Sequence, residues 1–244
     1  MQKMDLSKLK KIDDFLLFNF LAKDKENAAE IVEAGEGYVV PGIVASDFEK
    51  IEDGIAKVNE LKEAAPVVSV GLGDNGNPAN WDKVLAIAAG SSPGHINQPF
   101  DKSSYSRGYL KALGQDQTVN ALVSPSGKPG TVKLATGLEM TVEDLLDLAS
   151  AMQIESIKFM PLKGIQHLDE LVYLCKAAAE KGITAIEPAG GITADNIKEI
   201  VNAVKDTGIP VFMPHIFGST IDKETGRTIP EEVIRILDRV RGMF

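Results

Sequence analysis

Short apolar runs alternate with amphipathic stretches along most of the chain. The runs are Tyr38–Ala45, Pro66–Gly71, Pro93–Asn97, Val119–Val123, Val132–Ala135, Ser156–Met160, Ile183–Ile186 and Pro210–Met213. Each has the length of a strand. Most are continuously apolar, as in strands covered on both faces. The stretches between them carry a helical period. Phe48, Ile51, Ile55, Val58 and Leu61 recur at spacings of three and four behind Asp47, a residue suited to cap a helix. Val142, Leu145, Leu146, Ala149 and Met152 do the same behind Thr141, and Val233, Ile234, Leu237 and Val240 close the chain. Residues 1–36 mix charged and apolar side chains without a proline and read as a helical extension.

Strands alternating with helices predict a parallel sheet. Most runs begin about 25–28 residues apart, which fits one βα unit each and predicts a (β/α)8 TIM barrel. The expected organisation is a single barrel domain over 1–244, with 1–36 as an extra N-terminal helix. One interval departs from the pattern. Only Ser124–Thr131 separates Val123 from Val132, too little for a parallel crossover helix. Either a loop replaces one helix there or one run is not a barrel strand. An open doubly wound sheet is the alternative architecture.

Composition narrows the function classes. The chain has 244 residues, 44% hydrophobic and 25% charged, enough for one large core. A net charge of −9 argues against nucleic-acid or anionic-membrane binding, though not against a local phosphate site. Cys175 is the only cysteine, so no intrachain disulfide can form, and it falls on a helical core position. The Phe15–Ala22 run is too short to span a membrane, and its flanks do not resemble a secretory signal. These features point to a cytoplasmic protein.

The chemistry concentrates near the ends of the last three runs. Lys158 lies in Ser156-Ile157-Lys158-Phe159-Met160-Pro161-Leu162, an apolar setting that is costly for an ammonium ion. Desolvation there lowers the lysine pKa and prepares a neutral amine for Schiff-base chemistry, although a packed stem with a solvated head fits the same residues. Glu187 follows 29 residues later and His215 another 28, one βα unit each time, so all three share the C-terminal rim expected to carry function. Gly190-Gly191, ahead of a helix start near Ala194-Asp195, has the form of a phosphate cradle. Gly218-Ser219-Thr220 offers a second half. Glu187 is a candidate general acid/base or a partner for a lysine. His215 is a candidate phosphate ligand or proton carrier, and His95 ends the third run with a structural role favoured. Lys133, in Val132-Lys133-Leu134-Ala135, is the rival nucleophile or a neighbouring binding cation. Gly71–Asn77 forms a polar rim loop. The histidines and the cysteine show no paired ligand spacing, so neither a metal nor a cofactor is expected.

With these residues in place, the C-terminal half resembles the Schiff-base 2-keto-3-deoxy-6-phosphogluconate aldolases. Their strand-six Lys-aromatic-Phe-Pro-Ala motif is similar to Lys158-Phe159-Met160-Pro161-Leu162, and their Pro-Thr-Gly-Gly-Ile to Pro188-Ala189-Gly190-Gly191-Ile192 with Asn196. The opening Val39-Val40-Pro41-Gly42-Ile43-Val44 and the Pro214-His215-Ile216-Phe217-Gly218 segment are similar to the branch associated with glucosaminate breakdown. The family's early-strand glutamate followed by arginine has no counterpart in Val67–Asn75, and Ala189 replaces the family threonine. The resemblance implies a barrel, Lys158 as nucleophile, cleavage to pyruvate and glyceraldehyde 3-phosphate, a phosphorylated keto-acid substrate and a homo-oligomer. Assigning acid/base work to Glu187 rests on position alone. A metal-assisted aldolase, another phosphosugar-processing barrel and a non-catalytic phosphometabolite-binding barrel are the competing readings.

Overall fold

Phe18–Leu21 forms the first strand, β1, where a helix was expected. The computed structural model describes residues 6–244, so the first five residues of the expected helix lie outside the described residues. The cause of the difference is local. Asp13 and Asp14 both take left-handed backbone, with φ of 51° and 53°, and turn the chain before a run buried on both sides. A short apolar run of that kind carries no period that separates strand from helix. The segment is helical only in a short 3-10 turn at Leu6–Lys8 and at its back. Asp24 accepts from the Asn27 backbone N–H at 2.8 Å and caps α1, Lys25–Ala34.

The remaining elements follow in alternation. They are β2 (Val39–Val44), α2 (Ile51–Leu61), β3 (Val68–Gly71), α3 (Trp81–Ser91), β4 (Gly94–Pro99), α4 (Phe100–Ala112) and β5 (Thr118–Pro125). A pair of short strands intervenes, β6 (Thr131–Lys133) and β7 (Glu139–Thr141). Then come α5 (Val142–Ala151), β8 (Ser156–Phe159), α6 (Leu168–Glu180), β9 (Ala185–Pro188), α7 (Ile197–Val204), β10 (Val211–Phe212) and α8 (Pro230–Val240).

Strands β1-β2-β3-β4-β5-β8-β9-β10 pair in that order, all parallel. Bridges Leu16↔Phe212 and Asn19↔His215 join the last strand's path to the first. Hydrogen bonds from Leu17 N to Phe212 O and from Asn19 N to Pro214 O seal that seam at 3.2 and 3.0 Å. The sheet is therefore a closed (β/α)8 barrel, not an open doubly wound one. The short interval after Val123 is also explained. Val132 and Lys133 do not belong to a barrel strand; they pair antiparallel with Pro125 and Ser124 and form a hairpin between β5 and α5. The expected number of strands was met only because β1 replaces this run.

Inside the barrel the side chains form two zones. Leu17, Val40, Val67, Ala185, Val211 and Met213 fill the lower zone, and Leu6 packs against them. Further along the strands many of the inward positions are polar and buried: Asn19, Ser69, His95 and Asn97, Asn120, Ser156 and Lys158, Glu187, and His215. The outer face of the sheet is apolar and packs on the helices. Cys175 lies in that outer core, where burial pushes its thiol pKa up. No helix of the described residues is long and apolar enough to cross a membrane.

Candidate active site

A cleft of about 610 Å³ opens at the C-terminal ends of the strands, with Lys158 among its lining residues. The Lys158 side chain is nearly inaccessible, at 6% exposure. Its Nζ donates to Asn97 Oδ1 at 2.8 Å and meets His215 Nδ1 at 3.1 Å. Burial lowers the amine's pKa to about 8, against the opposing pull of the Glu187 charge. Roughly a tenth of the amine is then neutral at pH 7, far more than for an ordinary lysine.

Glu187 lies beneath this pair and does not line the cleft. Its Oε1 accepts from Ser156 Oγ at 2.5 Å and faces His95 Nε2 at 3.1 Å. Its Oε2 accepts from Asn120 Nδ2 at 2.7 Å and faces His215 Nε2 at 2.8 Å. Burial by itself works against ionisation, and it is the largest single effect. His95 and His215 together outweigh it and hold the carboxyl well below the usual carboxylate range. Four donors fill the lone pairs of this carboxylate. The position expected for a general acid/base on substrate is thus enclosed, and the group there is a poor base.

His215 does reach the cleft. Burial, helped by the positive charge of Lys158, drops its pKa to about 3, with Glu187 pulling the other way. The ring is neutral at physiological pH. Because an ionised Glu187 can only accept, Nε2 carries the ring proton and Nδ1 is left to accept from Lys158. His95 lies below, with Nδ1 2.9 Å from Ser69 Oγ and Nε2 toward Glu187. Asn97 and Asn120 complete the network, Asn120 Nδ2 donating to Asn97 Oδ1 at 2.8 Å.

The glycine loops meet at another side of the same cleft, which Gly190, Gly191, Gly218 and Ser219 all line. Gly191 has φ of +74°, and a Cβ there would come within 2.6 Å of the Gly164 backbone nitrogen. Asn196 pins the loop, its Oδ1 accepting from Thr193 N and its Nδ2 donating to Gly191 O, both at 2.9 Å. Ser219 Oγ donates to Ile192 O at 3.0 Å and joins the two loops. The helix behind them begins at Ile197, slightly later than the sequence suggested.

Lys133 is elsewhere. Its Nζ pairs with Glu139 at 2.9 Å on the exposed hairpin, and the residue does not line the cleft. Neither a rival nucleophile nor a binding cation is placed there. The sequence reading also passed over Ser69, Asn97, Asn120 and Ser156. Their signal was a polar residue inside an otherwise apolar run, repeated at a spacing of two in His95/Asn97 and Ser156/Lys158.

Known proteins resemble this chain in sequence and in fold. Residues 12–224 match the family model described as KDGP aldolase. A curated relative, the 2-dehydro-3-deoxy-phosphogluconate aldolase of Salmonella typhimurium (strain 14028s / SGSC 2262), is 40% identical over 234 residues, spanning 92% of this chain and 94% of the relative. Two solved structures share the fold. A mutant tryptophan synthase alpha-subunit from Pyrococcus furiosus has a TM-score of 0.61 at 15% identity, covering 96% of this chain and 99% of that one. A thiamine phosphate pyrophosphorylase from Pyrococcus furiosus has a TM-score of 0.58 at 9% identity, covering 93% and 96%.

Proposed function

The chain belongs to the KDGP aldolase family, and from that membership we propose that it cleaves 2-dehydro-3-deoxy-6-phosphogluconate to pyruvate and glyceraldehyde 3-phosphate through a Schiff base on Lys158. The observation that carries the reading is the state of Lys158: buried, lining the cleft, with its pKa lowered to about 8 and its amine against a neutral imidazole.

The neutral amine attacks the C2 ketone. His215 Nδ1 receives the proton lost by nitrogen and delivers it to the former ketone oxygen; a second proton, drawn from solvent in the cleft, lets that oxygen leave as water. The resulting iminium draws electrons from the C3–C4 bond as a base removes the C4 hydroxyl proton. His215 is the base, because it is the titratable group that both reaches the cleft and touches Nζ. The C4 fragment leaves as glyceraldehyde 3-phosphate. Protonation of C3 and hydrolysis of the iminium then release pyruvate.

Glu187 is a positioning residue in this scheme. It fixes the His215 tautomer and stabilises the imidazolium formed in each proton transfer. When cleavage turns the cationic iminium into a neutral enamine, the positive charge that helps hold His215 neutral is gone, so the ring keeps the proton taken from the C4 hydroxyl until it is passed to C3. The loops of Gly190-Gly191 and Gly218-Ser219 hold the terminal phosphate and align the bond to be broken. A homo-oligomeric, cytoplasmic enzyme is the setting that family membership supports.

Borohydride reduction in the presence of pyruvate, followed by peptide mapping, tests the reading. The expected result is an irreversible adduct on Lys158. An adduct on Lys133, or none, defeats it.

A further inference from the structure

The polar side chains of the cleft divide by position. Asn97, Lys158 and His215 sit at the reacting end, and Thr193 and Ser219 belong to the glycine loops. Ser46, Asp47, Asp74 and Asn75 remain, from the loops after β2 and β3. Two carboxylates there suit neither end of a substrate that carries a carboxylate and a phosphate, since like charges repel. They do suit hydroxyl groups.

Asp74 and Asn75 are exposed, and the loop after β3 that carries them is packed closely at both glycines. Gly73, Asp74, Asn75 and Gly76 all have positive φ, of 80°, 46°, 56° and 80°, an unusual run for two non-glycine residues. A Cβ on Gly73 would come within 1.9 Å of Ser46 Oγ, and one on Gly76 within 2.3 Å of Met160 Cε. The loop therefore rests directly on the strand end that carries Lys158. Asn80 Nδ2 ties it down, donating to Leu72 O at 3.0 Å and to Asp74 Oδ2 at 3.3 Å. The other Asp74 oxygen has no hydrogen bond among the described residues. Burial raises the Asp47 pKa against a hydrogen bond with Ser46 and the charge of Lys23, and Asp74 adds a smaller rise, so the two loops share one stretch of wall.

We propose that Asp74 and Asn75 bind the C5 hydroxyl of the substrate, the hydroxyl between the cleaved bond and the phosphate, and so set which aldehyde the cleft accepts. The assignment rests on the aldolase reading above and deepens it. A hydroxyl has one proton to give and lone pairs to offer. The Asp74 carboxylate takes the first and the Asn75 amide meets the second. Holding both on one loop tied down by Asn80 reduces the ordering cost of binding.

The test runs in the condensation direction, with pyruvate and either D-glyceraldehyde 3-phosphate or 3-phosphooxypropanal, which lacks the hydroxyl that becomes C5. Asp74→Gly and Asn75→Gly remove the side chains while tolerating positive φ. Each is expected to lower kcat/KM for glyceraldehyde 3-phosphate about tenfold or more, and that for the deoxy aldehyde by no more than about twofold. If Asp74→Gly does not fold, Asp74→Asn, which keeps an acceptor toward Asn80, carries the comparison, with a loss of several-fold expected on the hydroxylated aldehyde alone. Equal losses on both aldehydes, or no loss on either, overturn the assignment and leave the aldolase reading standing. Failure of the unaltered protein to condense either aldehyde overturns both.

Discussion

Lys158 and Glu187 are register partners on adjacent strands, yet His215 stands between their side chains, 3.1 Å from the amine and 2.8 Å from the carboxylate. The interposed imidazole turns what would be a buried salt bridge into a relay. The two charges still sense each other, because Glu187 raises the lysine pKa that burial lowers.

Glu187→Gln removes that pull. The Lys158 pKa then falls below its present value of about 8, so the acid limb of the kcat/KM profile moves to lower pH. Imidazolium stabilisation is lost as well, and kcat should fall about 10- to 1,000-fold with little change in KM. A pH–rate profile of the variant checks both effects, and an unmoved acid limb would contradict the relay.

His215→Asn keeps a polar group near Nζ but cannot take up and pass on a proton. Turnover should drop by about 10²–10⁴-fold. Borohydride trapping at Lys158 should persist but become slow. Rapid trapping with lost turnover would place His215 at C–C cleavage alone and not at imine formation.

Lys158→Met should abolish activity and raise stability. The native lysine pKa lies below its ordinary value of 10.5, at about 8, so the cost of burying the ammonium is present in full below pH 8. It fades as pH rises from 8 through 10.5. At pH 7 the apolar variant should therefore be more stable by roughly 1–3 kcal/mol, and the gain should shrink in alkali. Denaturant melts at pH 7 and pH 10 provide the comparison.

Gly191→Ala forces a Cβ toward the Gly164 backbone at a positive φ. Its cost should be about 1–3 kcal/mol in stability. KM for the phosphorylated substrate should rise more than kcat falls. A variant with unchanged KM would separate this loop from phosphate binding.

Lys133→Met tests the hairpin. An exposed lysine paired with Glu139 contributes little, so activity should stay within about twofold and stability within about 1 kcal/mol.

What could be read from sequence follows from the physics of each element. β8, β9 and β10 were legible because their apolar runs end in chemistry at βα spacing, and the positions of Lys158, Glu187 and His215 followed from them. β1 was not. Phe15-Leu16-Leu17-Phe18 buries both faces of a strand, and the charged residues around it mimic a helical surface. Val132–Ala135 failed for the opposite reason, since a two-stranded hairpin has the composition of a barrel strand and only its register reveals it. Glu187 was located correctly along the chain, but its enclosure by Ser156, Asn120 and two histidines is a three-dimensional fact that spacing does not carry.

His215 is also a backbone partner. It bridges Asn19 on the first strand's path and Ala189 beyond β9, at the seam where the ring of strands meets itself. The last strand must find the first before this imidazole has a fixed place above Glu187. A chain with seven strands assembled would hold Lys158 and the glycine loops and still be inert. Recovery of turnover during refolding would therefore time the closure of the ring itself.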